Sequence, residues 1–250
     1  MELDTARTLP LFAGLSPAAL ADVMAAAVPV TFAAETRIFW QGNPAAQFFV
    51  LTGGKVKLTQ VTVDGQQLIL RYVSPHQFFG LLSVVAGSLY PVTAETVAPS
   101  QALTWSREAL AALMEAQPRL AINVLDGMGR LVQEFQDRLR ELATERVARR
   151  VARALLRLAR QTGRRTPEGI LLDMPLSRQD LAQLTGATLF TVSRILSEWE
   201  SQGFVHSQRE RIWIVQGHRL VAIAEDLPDS AASQVWPGEA PTAPPAEEEA

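Results

Sequence analysis

The chain has 250 residues, 48% of them hydrophobic, and a formal net charge of −3, which is enough apolar material for two cored domains. No apolar run approaches the roughly 20 residues needed to cross a bilayer, and the N-terminus lacks a basic stretch followed by an apolar one, so a cytoplasmic protein without membrane contact is expected. Cysteine is absent, which excludes disulfides, thiolate redox switches, Cys-held iron-sulfur clusters and Cys-type zinc sites.

The small net charge conceals a segregation. Residues 1–144 sum to −2, residues 145–219 to +6 and residues 220–250 to −7. A local surplus of Arg is the electrostatic footprint of a phosphate-backbone partner, and an Arg-rich solvated face would give the same number.

In chain order, residues 8–27 predict a lead-in and an amphipathic helix, with Ser16 and Pro17 at cap and first-turn positions. From Val30 the hydrophobic period shortens. Runs such as RIFWQGNP, FFVLTGGKVKLTQV, DGQQLILRYVSP and VTAETVAPSQALTW, separated by Gly, Pro, Asn and Asp turns, predict an antiparallel β-roll or sandwich of about eight strands over residues 1–117. From about Pro118 the period is helical again. Val124, Met128, Leu131, Phe135 and Leu142 form an a/d stripe on a helix over 118–143, with Arg138 at the remaining seam position. Such a stripe can pack on a twin helix or on the chain's own roll, and Gly127 and Gly129 would let either come close. A second helix, about 145–161, turns Val147, Val151, Ala154, Leu155 and Leu158 inward and six Arg residues outward, and ends at Gly163.

Residues 176–199, LSRQDLAQLTGATLFTVSRILSEW, predict two short helices broken at Gly186. Ser177 with Asp180 resembles a capping box, and Thr188 caps the second helix. Leu181, Ala182 and Leu184 share one face, and Val192, Ile195, Leu196 and Trp199 another. Small Ala182 where two helices approach, with Gly186 at a turn needing positive φ, defines a helix-turn-helix; a plain helical hairpin gives no reason for that pairing. The outer face of the second helix, Thr188, Leu189, Phe190, Thr191, Ser193 and Arg194, suits a major groove. GFVHSQRERIWIV then predicts a two-stranded wing with Arg209 and Arg211 at its tip. The domain over 144–225 is followed by a Pro-, Ala- and Glu-rich tail, 226–250, expected to be disordered.

The run RIFWQGNPAAQFFVLTGGKVKL, with Gly42 and Gly54 at strand ends, looks like a cyclic-nucleotide-binding β-roll. Followed by a long helix and a helix-turn-helix, it resembles the Crp/Fnr family of bacterial transcription regulators over about Leu9 to Leu220. The resemblance implies an α+β fold: an N-terminal jelly roll, a long dimerisation helix hinged near Ala143 and Thr144, and a C-terminal winged helix-turn-helix. It also implies a homodimer on double-stranded DNA, with RNA polymerase as a partner if the protein activates, and no enzymatic activity.

Cyclic-AMP-binding members hold the ribose with a Gly-Glu pair and the cyclic phosphate with an Arg-Ser pair. Here Gly80 is followed by Leu81, and Tyr90 and Pro91 stand where Arg-Ser is expected. A cyclic phosphate buried without those partners would suffer several kcal/mol of desolvation, which argues against cyclic AMP. The Tyr-Pro-Val-Thr-Ala run looks more like members that answer to oxygen, nitric oxide or redox state. An iron-sulfur cluster is excluded without Cys, whereas a haem stays open with His76 as candidate axial ligand. A pocket lined by Tyr72, Phe79, Gly80, Leu81, Leu82, Tyr90, Val92 and Thr93 could bind an apolar effector or be filled by its own side chains.

On DNA, Arg194 is the expected base contact, gripping guanine O6 and N7. Ser193 and Thr191 supply hydrogen bonds, and Phe190 or Leu189 a thymine-methyl contact. Ser177, Arg178, Gln179, Thr188, Arg209 and Arg211 are assigned to phosphates. Ser193-Arg194 is similar to the oxygen-responsive branch, but well-known relatives carry Glu at the position of Phe190 and often Arg at that of Leu189, so an altered half-site is expected. A metal-dependent cupin enzyme needs clustered ligands, and His76, His206 and His218 are the only histidines. A small-molecule sensor acting on a protein partner does not explain the +6 domain.

Overall fold

The computed structural model describes residues 6–227 and divides into two compact units, 1–145 and 146–250. From residue 228 on, the acidic tail expected to be disordered lies outside the described residues.

Unit 1 contains a 3-10 turn (Pro10–Phe12) and helix α1 (Pro17–Ala25), whose first turn is capped by the Ser16 hydroxyl accepting from Ala19 N–H. The strands are β1 (Val28–Phe32), β2 (Arg37–Phe39), β3 (Gln47–Val61), β4 (Gln67–Val73), β5 (Phe78–Phe79) and β6 (Thr93–Ser106), with a short helix α2 (Leu81–Ala86) before β6. All pairings are antiparallel, in the order β1-β6-β3-β4, with β2 added to β6 and β5 to β3. This is the jelly-roll part of the expected fold, with six strands among the described residues instead of about eight. The difference arises because β3 and β6 are 15 and 14 residues long and bend without breaking. Their register slips between Leu51 and Val56, and Gly54 there has φ +84°, where a Cβ would lie 2.4 Å from the Pro99 carbonyl. A residue read as a strand boundary is a kink inside one strand.

Apolar residues of these strands, including the continuous buried run Phe48 to Leu51, meet α1 and the 3-10 turn in one core. Trp105 stacks on Phe48 at 5.0 Å and donates its indole N–H to the Val23 carbonyl, so its one polar atom is satisfied where the ring is buried.

Helices α3 (Arg107–Ala116) and α4 (Pro118–Thr144) complete the unit. Asn123 on α4 donates to the carbonyls of Leu11 and Ala13, at 3.0 and 2.8 Å, pinning the 3-10 turn. The expected stripe on α4 divides along its length. Val124 is buried in the roll's core, and Met128 and Leu131 are half-buried, Met128 packing against that core. The solvent-facing stripe runs through Leu125, Val132 and Leu139 at intervals of seven and, interleaved, Phe135 and Leu142, continuing the spacing from Met128. Val124, Met128, Leu131, Phe135 and Leu142 share one face of the helix, whose first part is covered by the roll and whose later part, from Phe135 to Leu142, is exposed.

Unit 2 holds α5 (Val147–Thr162), β7 (Gly163–Thr166), β8 (Gly169–Leu172), α6 (Arg178–Thr185), α7 (Leu189–Ser201), β9 (Val205–Gln208), β10 (Arg211–Ile214) and α8 (Gly217–Glu225). Val151, Ala154, Leu155 and Leu158 of α5 face the core. Gly163 follows α5 as the extended first residue of β7 and not as a left-handed helix stop. The wing is part of a four-stranded sheet, β7-β8-β10-β9; β7 and β8, each four residues long, carried too little alternation to be anticipated.

Candidate functional site

The helix-turn-helix is built by local chemistry. Ser177 Oγ accepts from Asp180 N–H, and the Asp180 carboxylate accepts from Ser177 N–H, a complete capping box that starts α6. Gly186 ends it at φ +60°, its N–H returned to the Ala182 carbonyl. Thr188 Oγ1 accepts from Thr191 N–H and starts α7. Val192, Ile195, Leu196 and Trp199 turn into the core with Leu181, Ala182 and Leu184.

That packing leaves one face of α7 open. Phe190 is 79% exposed, Leu189 and Arg194 are exposed, and Thr191 and Ser193 lie half-exposed beside them. Thr188 sits at the same N-terminal end, and Gln179 is exposed on α6. Arg209 and Arg211 are exposed at the wing, whose two-residue turn holds Arg209 and Glu210 at φ +48° and +64°.

Arg178 is placed differently from its phosphate assignment. Its guanidinium spans to α7, donating to Ser197 Oγ at 3.2 Å and to both Glu200 carboxylate oxygens. Glu200 in turn accepts from the Ser207 hydroxyl on β9. Arg178, Glu200 and Ser207 therefore tie α6, α7 and the wing together, and no sequence spacing announces a bond between residues 22 apart. Ser177 likewise spends its hydroxyl on the cap. The arginines of α5, read as an outward face, are largely structural: Arg149 and Arg153 bind the end of α8, and Arg150 Nε donates to the Thr185 carbonyl at 3.0 Å, beside the turn.

In unit 1, Phe79, Gly80, Leu81 and Tyr90 come together with Phe39 and Phe49, which the sequence reading missed; Phe49 sits in a run of four consecutive buried residues, Phe48 to Leu51, where no alternation marks it. Tyr90 stacks on Phe39 at 3.8 Å, and Phe49 on Phe79 at 5.0 Å. The Tyr90 hydroxyl donates to the Gln47 carbonyl and accepts from Gln47 N–H at 3.1 Å; burial raises its pKa above the ordinary phenol value, and the bond to Gln47 opposes that rise. Thr93 is buried and accepts from Gln41 N–H, and Val92 packs at the core's margin. Two assignments to this pocket are corrected. Leu82 is on the solvent side of α2, 48% exposed. Tyr72 is buried but pairs across strands with Lys57, out of phase with the core residue Val73, which puts it on the other face of the β3–β4 pair.

His76 lies exposed in the turn before β5 at φ +70°, beside a cleft of about 160 Å³. Among the described residues no group of three His, Cys, Asp or Glu could hold a metal ion, and no helix is long and apolar enough to cross a membrane.

Residues 29–117 match the cyclic nucleotide-binding domain, and residues 149–223 the Crp-like helix-turn-helix domain. The CRP-like cAMP-activated global transcriptional regulator of Mycobacterium tuberculosis is 27% identical over 210 residues, covering 84% of this chain and 94% of the relative. The nitrogen fixation regulation protein FixK of Azorhizobium caulinodans is 30% identical over 184 residues, 73% of each. In fold, the chain is similar to the global regulator CLP of Xanthomonas campestris, with a TM-score of 0.70 at 20% identity over 80% of this chain and 99% of that one.

Proposed function

The chain belongs to the Crp/Fnr family of transcription regulators and carries that family's DNA-binding helix-turn-helix, and from this premise we propose that it acts in the cytoplasm as a homodimer reading an inverted-repeat operator through α7. The observation that carries the reading is the division of α7 into a buried apolar face and an open face of hydroxyls, Leu189, Phe190 and Arg194. Arg194 is the one exposed cation there, suited to guanine O6 and N7; Ser193 and Thr191 offer hydrogen bonds, and Phe190 or Leu189 meets a thymine methyl. Gln179, Thr188, Arg209 and Arg211 hold phosphates. The exposed stripe from Leu125 to Leu142 is the dimer seam, which sets two α7 helices about 34 Å apart along the duplex. RNA polymerase becomes a partner where the operator position makes the protein an activator.

The sensor roll works without cyclic AMP. Tyr90, where a phosphate-binding cation would be expected, is engaged with Phe39 and Gln47, and buried Leu81 offers the ribose no carboxylate.

Selection from randomised duplex DNA, followed by sequencing, tests this reading. An inverted repeat is expected, and Arg194→Ala should erase preference at one position of each half-site, a loss of about 1–3 kcal/mol. Phe190→Glu should shift that preference toward cytosine at the neighbouring position. Absence of any enriched repeat, or an Arg194→Ala protein with unchanged affinity and preference, overturns it.

A further inference from the structure

The cleft beside His76 is separate from the aromatic pocket, since none of residues 79–93 lines it. Its walls come from the 3-10 turn at Leu9–Leu11, from Val50 on β3, from the turn at His76–Phe78, and from α4 at Gly127, Arg130, Leu131 and Glu134. The side chains divide by chemistry. Leu9, Leu11, Val50, Phe78 and Leu131 make an apolar body, while Arg71, Arg130 and His76 place donors around it, with Glu134 as the single carboxylate. Two guanidinium groups, Arg71 and Arg130, face the one carboxylate of Glu134. Arg71 is the inner one: its Nη2 donates to the Phe78 carbonyl at 2.7 Å, and burial disfavours its charge more than Glu134 restores it. Arg130 and His76 are exposed at the rim.

An apolar chamber of about 160 Å³ is the size that accommodates one aromatic ring, as a cavity of about 150 Å³ does for benzene. The surplus of guanidinium over carboxylate selects the polar end of the occupant. From this geometry we propose that the cleft binds a small organic acid, one oxyanion on a compact apolar body, with the oxyanion at Arg130 and Arg71 and the body against Phe78 and Leu131. The site lies where the roll meets the long helix: a Cβ on Gly127 would come within 2.9 Å of the Phe78 ring, so α4 is seated directly on the turn that forms the cleft. A ligand here bears on the seat of the helix that carries the dimer seam; that consequence, unlike the binding, rests on the regulator reading.

Calorimetric titration of the full chain with benzoate, phenyl phosphate and benzyl alcohol tests the site. Saturable binding of benzoate or phenyl phosphate is expected, and whichever anion binds tighter identifies the oxyanion class. Benzyl alcohol, with the same ring and no charge, should not bind. Arg130→Gln, an exposed change on α4 that leaves the core intact, should weaken the anion about tenfold. His76→Gly removes a rim donor and also relieves a left-handed backbone, so it should weaken binding while leaving the unfolding temperature equal or higher. No saturable signal with either acid, equal binding of benzyl alcohol, or an Arg130→Gln protein that folds and binds unchanged would each overturn the proposal. Because the readout contains no DNA, a failure here leaves the operator experiment untouched, and the reverse holds as well.

Discussion

The guanidinium of Arg178, the first residue of α6, donates to both carboxylate oxygens of Glu200 near the end of α7, at 3.2 and 3.0 Å. Since Glu200 also accepts from Ser207 on β9, one carboxylate ties α7 to α6 by an ion pair and to the wing by a hydrogen bond. In a motif whose open face must meet DNA at fixed geometry, this brace turns a charge that looks available for phosphate into a positioning group.

Removing it should cost stability before it costs specificity. Both partners are partly exposed, at 35% and 26% of their side chains, so solvent screening keeps the pair near 1 kcal/mol in spite of its forked geometry. Arg178→Ala and Glu200→Gln should each lower the unfolding midpoint, and the double variant should cost less than the sum. An Arg178→Ala protein with unchanged stability but a salt dependence of DNA binding reduced by about one ion would return Arg178 to the phosphate-contact role.

This brace also marks where reading the sequence stopped. The caps at Ser177 and Thr188, the turn at Gly186 and the buried face of α7 were legible because each is set by steps of at most four positions along the chain. The six-stranded roll was legible as a class but not as a count, because a bend inside a long strand and a turn between two short ones both appear as glycine. Long-range pairs such as Arg178 with Glu200, or Tyr90 with Gln47, leave no periodic trace. The stripe on α4 was legible but its partner was not: Val124 and Leu142, about five turns apart on one face, differ because the roll covers the first and leaves the second exposed.

The covered and the exposed residues of α4 make separable predictions. Leu139 is 68% exposed in the isolated chain, so Leu139→Glu should leave the roll folded while placing charge opposite charge across a twin helix. Sedimentation should show monomer, and DNA affinity should fall with it. Val124→Ala should do the opposite: it empties part of the roll's core, costing about 1–3 kcal/mol, and leaves the dimer intact at temperatures below unfolding. A Leu139→Glu protein that sediments as a dimer would remove α4 as the seam.

At the wing tip, Arg209 and Glu210 both hold left-handed backbone, a conformation costing roughly 1–2 kcal/mol per ordinary residue. The turn is kept by the strand pairing Arg211 with Gln208 and by Leu176 N–H donating to the Glu210 carbonyl. Glu210→Gly should relieve its share and lose part of the gain to glycine's greater freedom when unfolded, about 0.5–1 kcal/mol. The expected result is a net stabilisation of a few tenths to about 1 kcal/mol in denaturant unfolding, with DNA affinity equal or higher because an acidic group leaves the tip. A destabilised Glu210→Gly protein would show that the carboxylate itself holds the turn.

The Tyr90 hydroxyl gives the sensor roll a pH signature. Burial holds its proton to higher pH than in the unfolded chain, where tyrosine titrates near 10. Between those two values the unfolded chain has released the proton and the native roll has not, so the unfolded state is favoured progressively as pH rises. Stability contributed by the neutral phenol is therefore complete below about pH 10 and is lost as pH climbs through the raised native value. Tyr90→Phe should cost about 1 kcal/mol at neutral pH, through the loss of its bonds to Gln47, while keeping the stack on Phe39. Above pH 10 the gap between the two proteins should narrow, since the variant has no proton to lose. Urea unfolding of both from pH 7 to pH 11 measures that convergence; parallel curves throughout would mean that the Tyr90 hydroxyl is as open to water in the folded roll as in the unfolded chain.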